Sequence, residues 1–206
     1  MSAVPAEEHA SPADNAPPLL NIANVLTGLR LVFVPFFLVA LLAADGLSLT
    51  WRLVASLLFA VAAITDRFDG QLARSRGLVT SFGKIADPIA DKALMGAALI
   101  GLSILALLPW WVTIVIMARE IGVTLLRFWV IRHGVIPASP GGKLKTLVQI
   151  VAIGLYVLPL PEVPAVDWLR WVLMAAAVVL TVATGLDYVA RAVRLRAAAR
   201  AAQRRS

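Results

Sequence analysis

The stretch TDRFDGQLARSRGLVTSFGKIADPIADK, from Thr65 to Lys92, sets four aspartates, Asp66, Asp69, Asp87 and Asp91, between two long apolar segments. On a helix, the three-residue step from Asp66 to Asp69 and the four-residue step from Asp87 to Asp91 each put two carboxylates on one face. A carboxylate at the centre of a membrane helix costs about 2.5–3.5 kcal/mol on insertion scales, so four of them, uncompensated, would cost roughly 10 kcal/mol. A place at the membrane–water border removes much of that cost, and a divalent cation shared among several carboxylates supplies the opposing charge. The cluster therefore predicts a metal site in a polar cavity. The competing reading is a solvated acidic turn with Asp87 as an N-cap.

That the flanking segments are membrane helices follows from composition. Of the 206 residues 60% are hydrophobic, and a mean hydropathy of +0.86 is too apolar for an ordinary soluble domain. The chain has no cysteine, which excludes disulfides and thiolate metal sites. The formal charge of +7 is concentrated. Arg191, Arg194, Arg196, Arg200, Arg204 and Arg205 crowd the C-terminus, and Arg74, Arg76, Lys84, Arg132, Lys143 and Lys145 occupy two connections. In so apolar a chain this pattern fits anionic lipid heads, at about 1 kcal/mol per basic side chain near the surface, and not nucleic acid.

Residues 1–18 are rich in Ala, Pro, Ser and acidic residues, lack a basic n-region, and read as a disordered cytoplasmic leader. Residues 19–190 read as one membrane domain, and 191–206 as a basic cytoplasmic tail. Within the domain, LLNIAN precedes a first span at 25–43, with Asn24, Thr27 and Arg30 at its opening and an Asp45-Gly46 turn after it. The second span runs from 51 to 74 and the third from 83 to 107, where Pro88 suits a first helical turn. A fourth, 110–131, carries Arg119, Glu120 and Arg127 inside an apolar pattern, which marks them as functional candidates. Arg119 and Arg127 share a face suited to a polar pocket, whereas Arg119 and Glu120, as immediate neighbours, are not expected to pair. The fifth span, 145–158, is opened by Lys143 and Lys145; LPEVPAVD reads as an acidic loop, and the sixth span is 168–189. His9 and His133 have no second ligand at metal spacing and carry no site.

The expected fold is thus all-α: a polytopic protein of six transmembrane helices with a polar metal-binding cavity on the cytoplasmic side. Basic residues fall on connections two and four and on the C-terminus, so both termini and the aspartate cluster are expected to be cytoplasmic. Oxygen-only ligands favour Mg²⁺, Mn²⁺ or Ca²⁺ over zinc. Beside basic residues, such metals imply phosphate chemistry, with two ions clamping a phosphoryl group while a carboxylate takes a proton from an incoming hydroxyl. Gly70, Ala73 and Gly83, without bulky side chains, let a nucleotide approach closely, although small residues also serve helix packing.

Asp66, Asp69, Gly70, Ala73, Arg74, Gly83, Asp87 and Asp91 fall at the fixed intervals of a known signature. The chain in this respect resembles the CDP-alcohol phosphotransferases, integral membrane enzymes of phospholipid synthesis. The resemblance implies that Asp66, Asp69 and Asp87 hold two Mg²⁺ or Mn²⁺ ions. Asp91 would complete the second metal site and act as general base. Asp66, Asp69, Gly70, Ala73, Arg74 and Gly83, with Asn24 and Thr27, would bind the CDP moiety. The stretches NIANVLTGLR, MAREIGVTLLR and GGKLKT are similar to those of the branch that makes phosphatidylglycerophosphate. That likeness implies CDP-diacylglycerol and glycerol 3-phosphate as substrates, CMP as the leaving product, and a homodimer in the cell membrane. Arg30, Arg119, Arg127, Lys143 and Lys145 would then meet the acceptor's phosphate. Inositol phosphate or phosphatidylglycerol as acceptor, the latter giving cardiolipin, is the nearest alternative. A secondary transporter is disfavoured because no internal repeat is visible and the carboxylates sit at one border instead of the midplane. With all four aspartates present, nothing supports a catalytically dead scaffold.

Overall fold

The computed structural model describes residues 22–75, 81–130 and 140–203. The expected leader at 1–18, His133 and the last arginines, Arg204 and Arg205, lie outside the described residues. Six helices follow in order: α1 (Ile22–Leu42), α2 (Leu49–Ser75), α3 (Ser81–Ile104), α4 (Trp110–Val130), α5 (Pro140–Val157) and α6 (Pro164–Gln203). The described residues contain no strand.

The chain runs up and down, so each helix has one end near Asp66 and Asp91 and the other end at the far side of the bundle. α1 packs against α2 and α3, α6 against α4 and α5, and contacts of α3 with α4 and of α2 with α5 join the two groups. Their shared core is apolar. Phe37 of α1 meets Phe59 of α2 with ring centroids 5.8 Å apart, and Leu94, Leu99 and Leu102 of α3, Ile116 of α4 and Ile153 of α5 are buried around them. Gly101 lets α1 approach α3, since a Cβ there would lie 2.7 Å from Leu41 Cδ2. The outward faces are equally apolar: Phe36, Val39, Leu57, Ile114, Leu125 and Val179 are exposed. Side chains of this kind on both faces belong in lipid.

Three helical segments, Asn24–Gly46, Leu49–Asp66 and Pro164–Ala197, are long and apolar enough to cross a membrane. The helices of the expected third, fourth and fifth spans are present, but charged residues interrupt their apolar runs: Lys84, Asp87, Asp91 and Lys92 in α3, Arg119, Glu120 and Arg127 in α4, Lys143 and Lys145 in α5.

Several boundaries differ from the sequence reading. α3 starts at Ser81, so Pro88 lies inside the helix and not in its first turn; α1 likewise contains Pro35. Neighbouring helices make such prolines tolerable in a membrane bundle. Pro140 and Pro164 open α5 and α6, positions where the missing donor costs nothing. Lys143 and Lys145 are therefore within α5, and Asp167 lies in the first turn of α6 and not in a loop. α6 runs through the basic tail to Gln203 as one helix. The turn after α1 is tight, with Ala44, Asp45 and Gly46 all at positive φ (51°, 54° and 72°).

At the far end, two arginines tie off the C-terminus of α5. Arg52, buried on α2, donates from Nε to the carbonyl of Val157 at 3.0 Å and from Nη2 to that of Tyr156 at 2.7 Å. Arg170 on α6 donates to the carbonyls of Leu155 at 3.0 Å and Leu158 at 3.2 Å. The last carbonyls of a helix have no partner of their own, and here side chains from two neighbours supply one.

Candidate active site

The conserved geometry of an α-helix places Asn24, Thr27 and Arg30 at steps of three residues along α1, and all three are buried. The Arg30 side chain is fully enclosed, and Nη1 sits 2.6 Å from Asp66 Oδ1 on α2, whose carboxylate is about one-third exposed (36%). The pair fixes one carboxylate at the mouth of the site and gives a buried guanidinium the partner it requires.

Asp91, half-buried on α3, feels the charges of Asp66, Glu120, Lys145 and Arg30. Five helices thus contribute charged groups to one locus. Lys92 hydrogen-bonds Thr124 Oγ1 on α4, and Thr124 Oγ1 donates 2.8 Å to the carbonyl of Glu120. Glu120 Oε1 accepts from Lys145 of α5 and, at 3.0 Å, from Arg119 Nη1. Arg119 Nη2 continues to Thr184 Oγ1 of α6 at 3.0 Å. Gly185 makes room for this reach, since a Cβ there would lie 3.0 Å from Arg119 Cγ.

Two expectations change here. Arg119 and Glu120 do pair despite being adjacent, because the long arginine side chain bends back and is held at its other end by Thr184. Arg119 consequently reaches α6 through Thr184. Lys145, only 5% exposed, is a buried partner of Glu120, whereas Lys143, two residues earlier on α5, is exposed.

A cavity of about 50 Å³ opens beside Asp91. Lys92, Glu120, Lys145, Thr146 and Gln149 give it a polar side, and Met95, Leu99, Ile116 and Met117 an apolar floor. Glu120 stood out in the sequence only as an ionisable residue in an apolar span, and its place at the hub of three helices needed the fold. Gln149 had one available signal, its position a helical turn after Lys145 in an otherwise apolar run.

Asp69, Gly70, Ala73 and Arg74 lie on α2, Gly83 and Asp87 on α3, and Arg127 on α4; their side chains fall outside the described residues. Among the described residues there is no group of three or more metal-ligating side chains. What is described fits a hard divalent ion: Asp66 and Asp91 present oxygen donors from facing helices within electrostatic reach of each other. Helix continuity sets Asp69 one turn from Asp66 on α2, and Asp87 one turn from Asp91 on α3.

Comparison with known proteins places the chain in a family. The family model of the CDP-alcohol phosphatidyltransferases matches residues 20–183. A probable phosphatidylglycerophosphate synthase of Mycobacterium tuberculosis is 62% identical over 179 residues, covering 85% of this chain and 83% of that protein. The CDP-diacylglycerol–glycerol-3-phosphate 3-phosphatidyltransferase of Bacillus subtilis is 39% identical over 185 residues, 82% of this chain and 94% of its own. The Escherichia coli K12 protein of the same name is 37% identical over 179 residues, 84% and 94% respectively. With the match running from the start of α1 well into α6 and taking in all four aspartates, the chain belongs to the CDP-alcohol phosphatidyltransferase family.

Proposed function

We propose that this protein transfers a phosphatidyl group from CDP-diacylglycerol to glycerol 3-phosphate, giving phosphatidylglycerophosphate and CMP. The observation that carries the reading is the Asp66–Asp91 locus, built within a chain whose relatives are named for this reaction. The family is in general dependent on divalent metal. Asp66, Asp69, Asp87 and Asp91 would hold two ions, Mg²⁺ or Mn²⁺. When bound, these supply charge neutralisation at the transferring phosphate and at the leaving oxygen.

The chain's own residues do the rest. Arg30 holds the Asp66 carboxylate in place. Asn24, Thr27, Gly70, Ala73, Arg74 and Gly83 line the CDP moiety, the small residues allowing close approach. Asp91 accepts the proton of the acceptor hydroxyl, whose oxygen then attacks the lipid-linked phosphorus while the bond to CMP breaks. Lys145, beside Asp91 and balanced by Glu120, faces the acceptor phosphate together with Lys143 and Arg127. Arg119 serves that end by fixing Glu120.

The six helices form a cell-membrane domain with the site and both termini on the cytoplasmic side, where a cytidine nucleotide is available, and the protein works as a homodimer. Release of CMP by the purified, detergent-solubilised protein tests the reaction, with CDP-diacylglycerol, Mg²⁺ and one of three acceptors. Dependence on glycerol 3-phosphate is expected. Dependence on inositol phosphate or phosphatidylglycerol would keep the metal chemistry and discard the acceptor, and no release with any of them would overturn the proposal.

A further inference from the structure

We infer that Gln149 is a specificity-determining residue that accepts a hydrogen bond from the second hydroxyl of the acceptor alcohol, the one that does not react. The inference rests on the reaction proposed above. Gln149 is only 2% exposed, and its Oε1 has no hydrogen-bond partner among the described residues. A buried carbonyl oxygen left unpaired is destabilising, and most such groups in folded proteins are satisfied by something. Gln149 lines the same cavity as Asp91, Glu120 and Lys145. It lies one helical turn beyond Lys145 on α5, deeper toward the apolar floor of Met95, Leu99, Ile116 and Met117. Those four side chains offer a polyol no oxygen acceptor.

An acceptor of the proposed class brings three polar groups: a phosphate, the hydroxyl that loses its proton to Asp91, and a neighbouring hydroxyl. Lys145 meets the first and Asp91 the second. The third is a donor that must also leave water, and Gln149 Oε1 is the acceptor waiting for one. About 50 Å³ is room for a hydroxyl-bearing carbon or a water molecule. A site built around a hydroxyl rejects an analogue lacking it, because the buried acceptor is then stranded.

The test compares glycerol 3-phosphate with propane-1,3-diol monophosphate, which keeps the phosphate and the reacting hydroxyl and lacks the middle one. The wild-type protein is expected to favour glycerol 3-phosphate in kcat/KM by about tenfold or more. Gln149→Leu should bring that ratio close to one, chiefly by slowing glycerol 3-phosphate, while Gln149→Glu, which keeps an oxygen acceptor, should retain a preference. Gln149→Met carries the same comparison should the leucine variant not fold. Equal losses on both acceptors would make Gln149 a packing residue, and a wild type indifferent to the two would remove the hydroxyl contact; either overturns the inference while leaving the reaction in place. A wild type inactive on both would instead overturn the reaction and this inference with it.

Discussion

Among single residues, Asp91 carries the sharpest expectation. Asp91→Asn keeps the shape of the side chain and removes its basicity, so CMP release should fall by about 100-fold or more, the usual contribution of a general base. Binding of CDP-diacylglycerol, measured separately, should persist in part, and a variant with substantial turnover would take Asp91 out of this role. Glu120 is a different kind of residue, since it neutralises Lys145 and Arg119 together. Glu120→Gln strands two cations in a half-buried site and should cost about 1–3 kcal/mol, read as a lower midpoint of thermal unfolding. The aspartates were legible in the sequence because their spacing is a pattern. Glu120 was legible only as an ionisable residue in an apolar span, and Gln149 was not singled out, because a single polar residue in an apolar run fixes no partner until the fold supplies one. Arg30 was legible as a site candidate, but its engagement with Asp66 was not, because nothing local in α1 says which helix it will face.

For the helices, the sequence located each apolar core to within a few residues and misread several ends. Pro164, read within the loop LPEVPAVD, and Pro140, ahead of the span expected from 145, stand at the first position of α6 and α5, where a proline opens a helix as readily as it ends one. Pro88 was the opposite case, taken for an opening and found two turns inside α3. The closure of α5 by Arg52 left no trace in local pattern because it joins residues some 105 positions apart, and that by Arg170 reaches back 15 residues across a helix boundary. Arg52→Leu leaves the carbonyls of Tyr156 and Val157 without their side-chain donors and should destabilise the bundle by about 1–3 kcal/mol, measured as a fall in the unfolding midpoint in detergent. An unchanged midpoint would mean that water or lipid serves those carbonyls equally well.

On the scale of the molecule, the all-helical architecture followed directly from apolar run lengths, whereas the hydropathy of α3, α4 and α5 is diluted by their charged residues. This dilution makes topology the quantity to measure. The chain has no cysteine, so single cysteines can be placed at Leu47, 87% exposed in the turn after α1, and at Val193, 59% exposed on α6. A membrane-impermeant maleimide is expected to reach them from opposite sides of a sealed vesicle. Labelling of both from one side would refute the proposed arrangement of spans. Chelation of divalent metal should abolish CMP release, with recovery on adding Mg²⁺ or Mn²⁺.

The uninterrupted course of α6 sets the height of its charges. Its 40 residues make a rod of about 60 Å, twice the roughly 30 Å of hydrocarbon in a bilayer. Trp168 and Tyr188 are 20 residues apart, about 30 Å of helix, and are the aromatic types that favour the two interfaces. With that axis along the membrane normal and Tyr188 at a border, as the proposed topology has it, the backbone of Arg191 would stand about 5 Å beyond the border, that of Arg194 about 9 Å, of Arg196 about 12 Å and of Arg200 about 18 Å. Ionic screening at physiological salt acts over about 8 Å. Arg191 alone of these has its backbone within that distance of the headgroups, and Arg196 has already spent its guanidinium on the face of Trp129, 3.8 Å from the ring centre. What read in the sequence as a separate basic tail is, as far as Gln203, the direct continuation of the last helix, so the spacing of its charges is set by the helical rise.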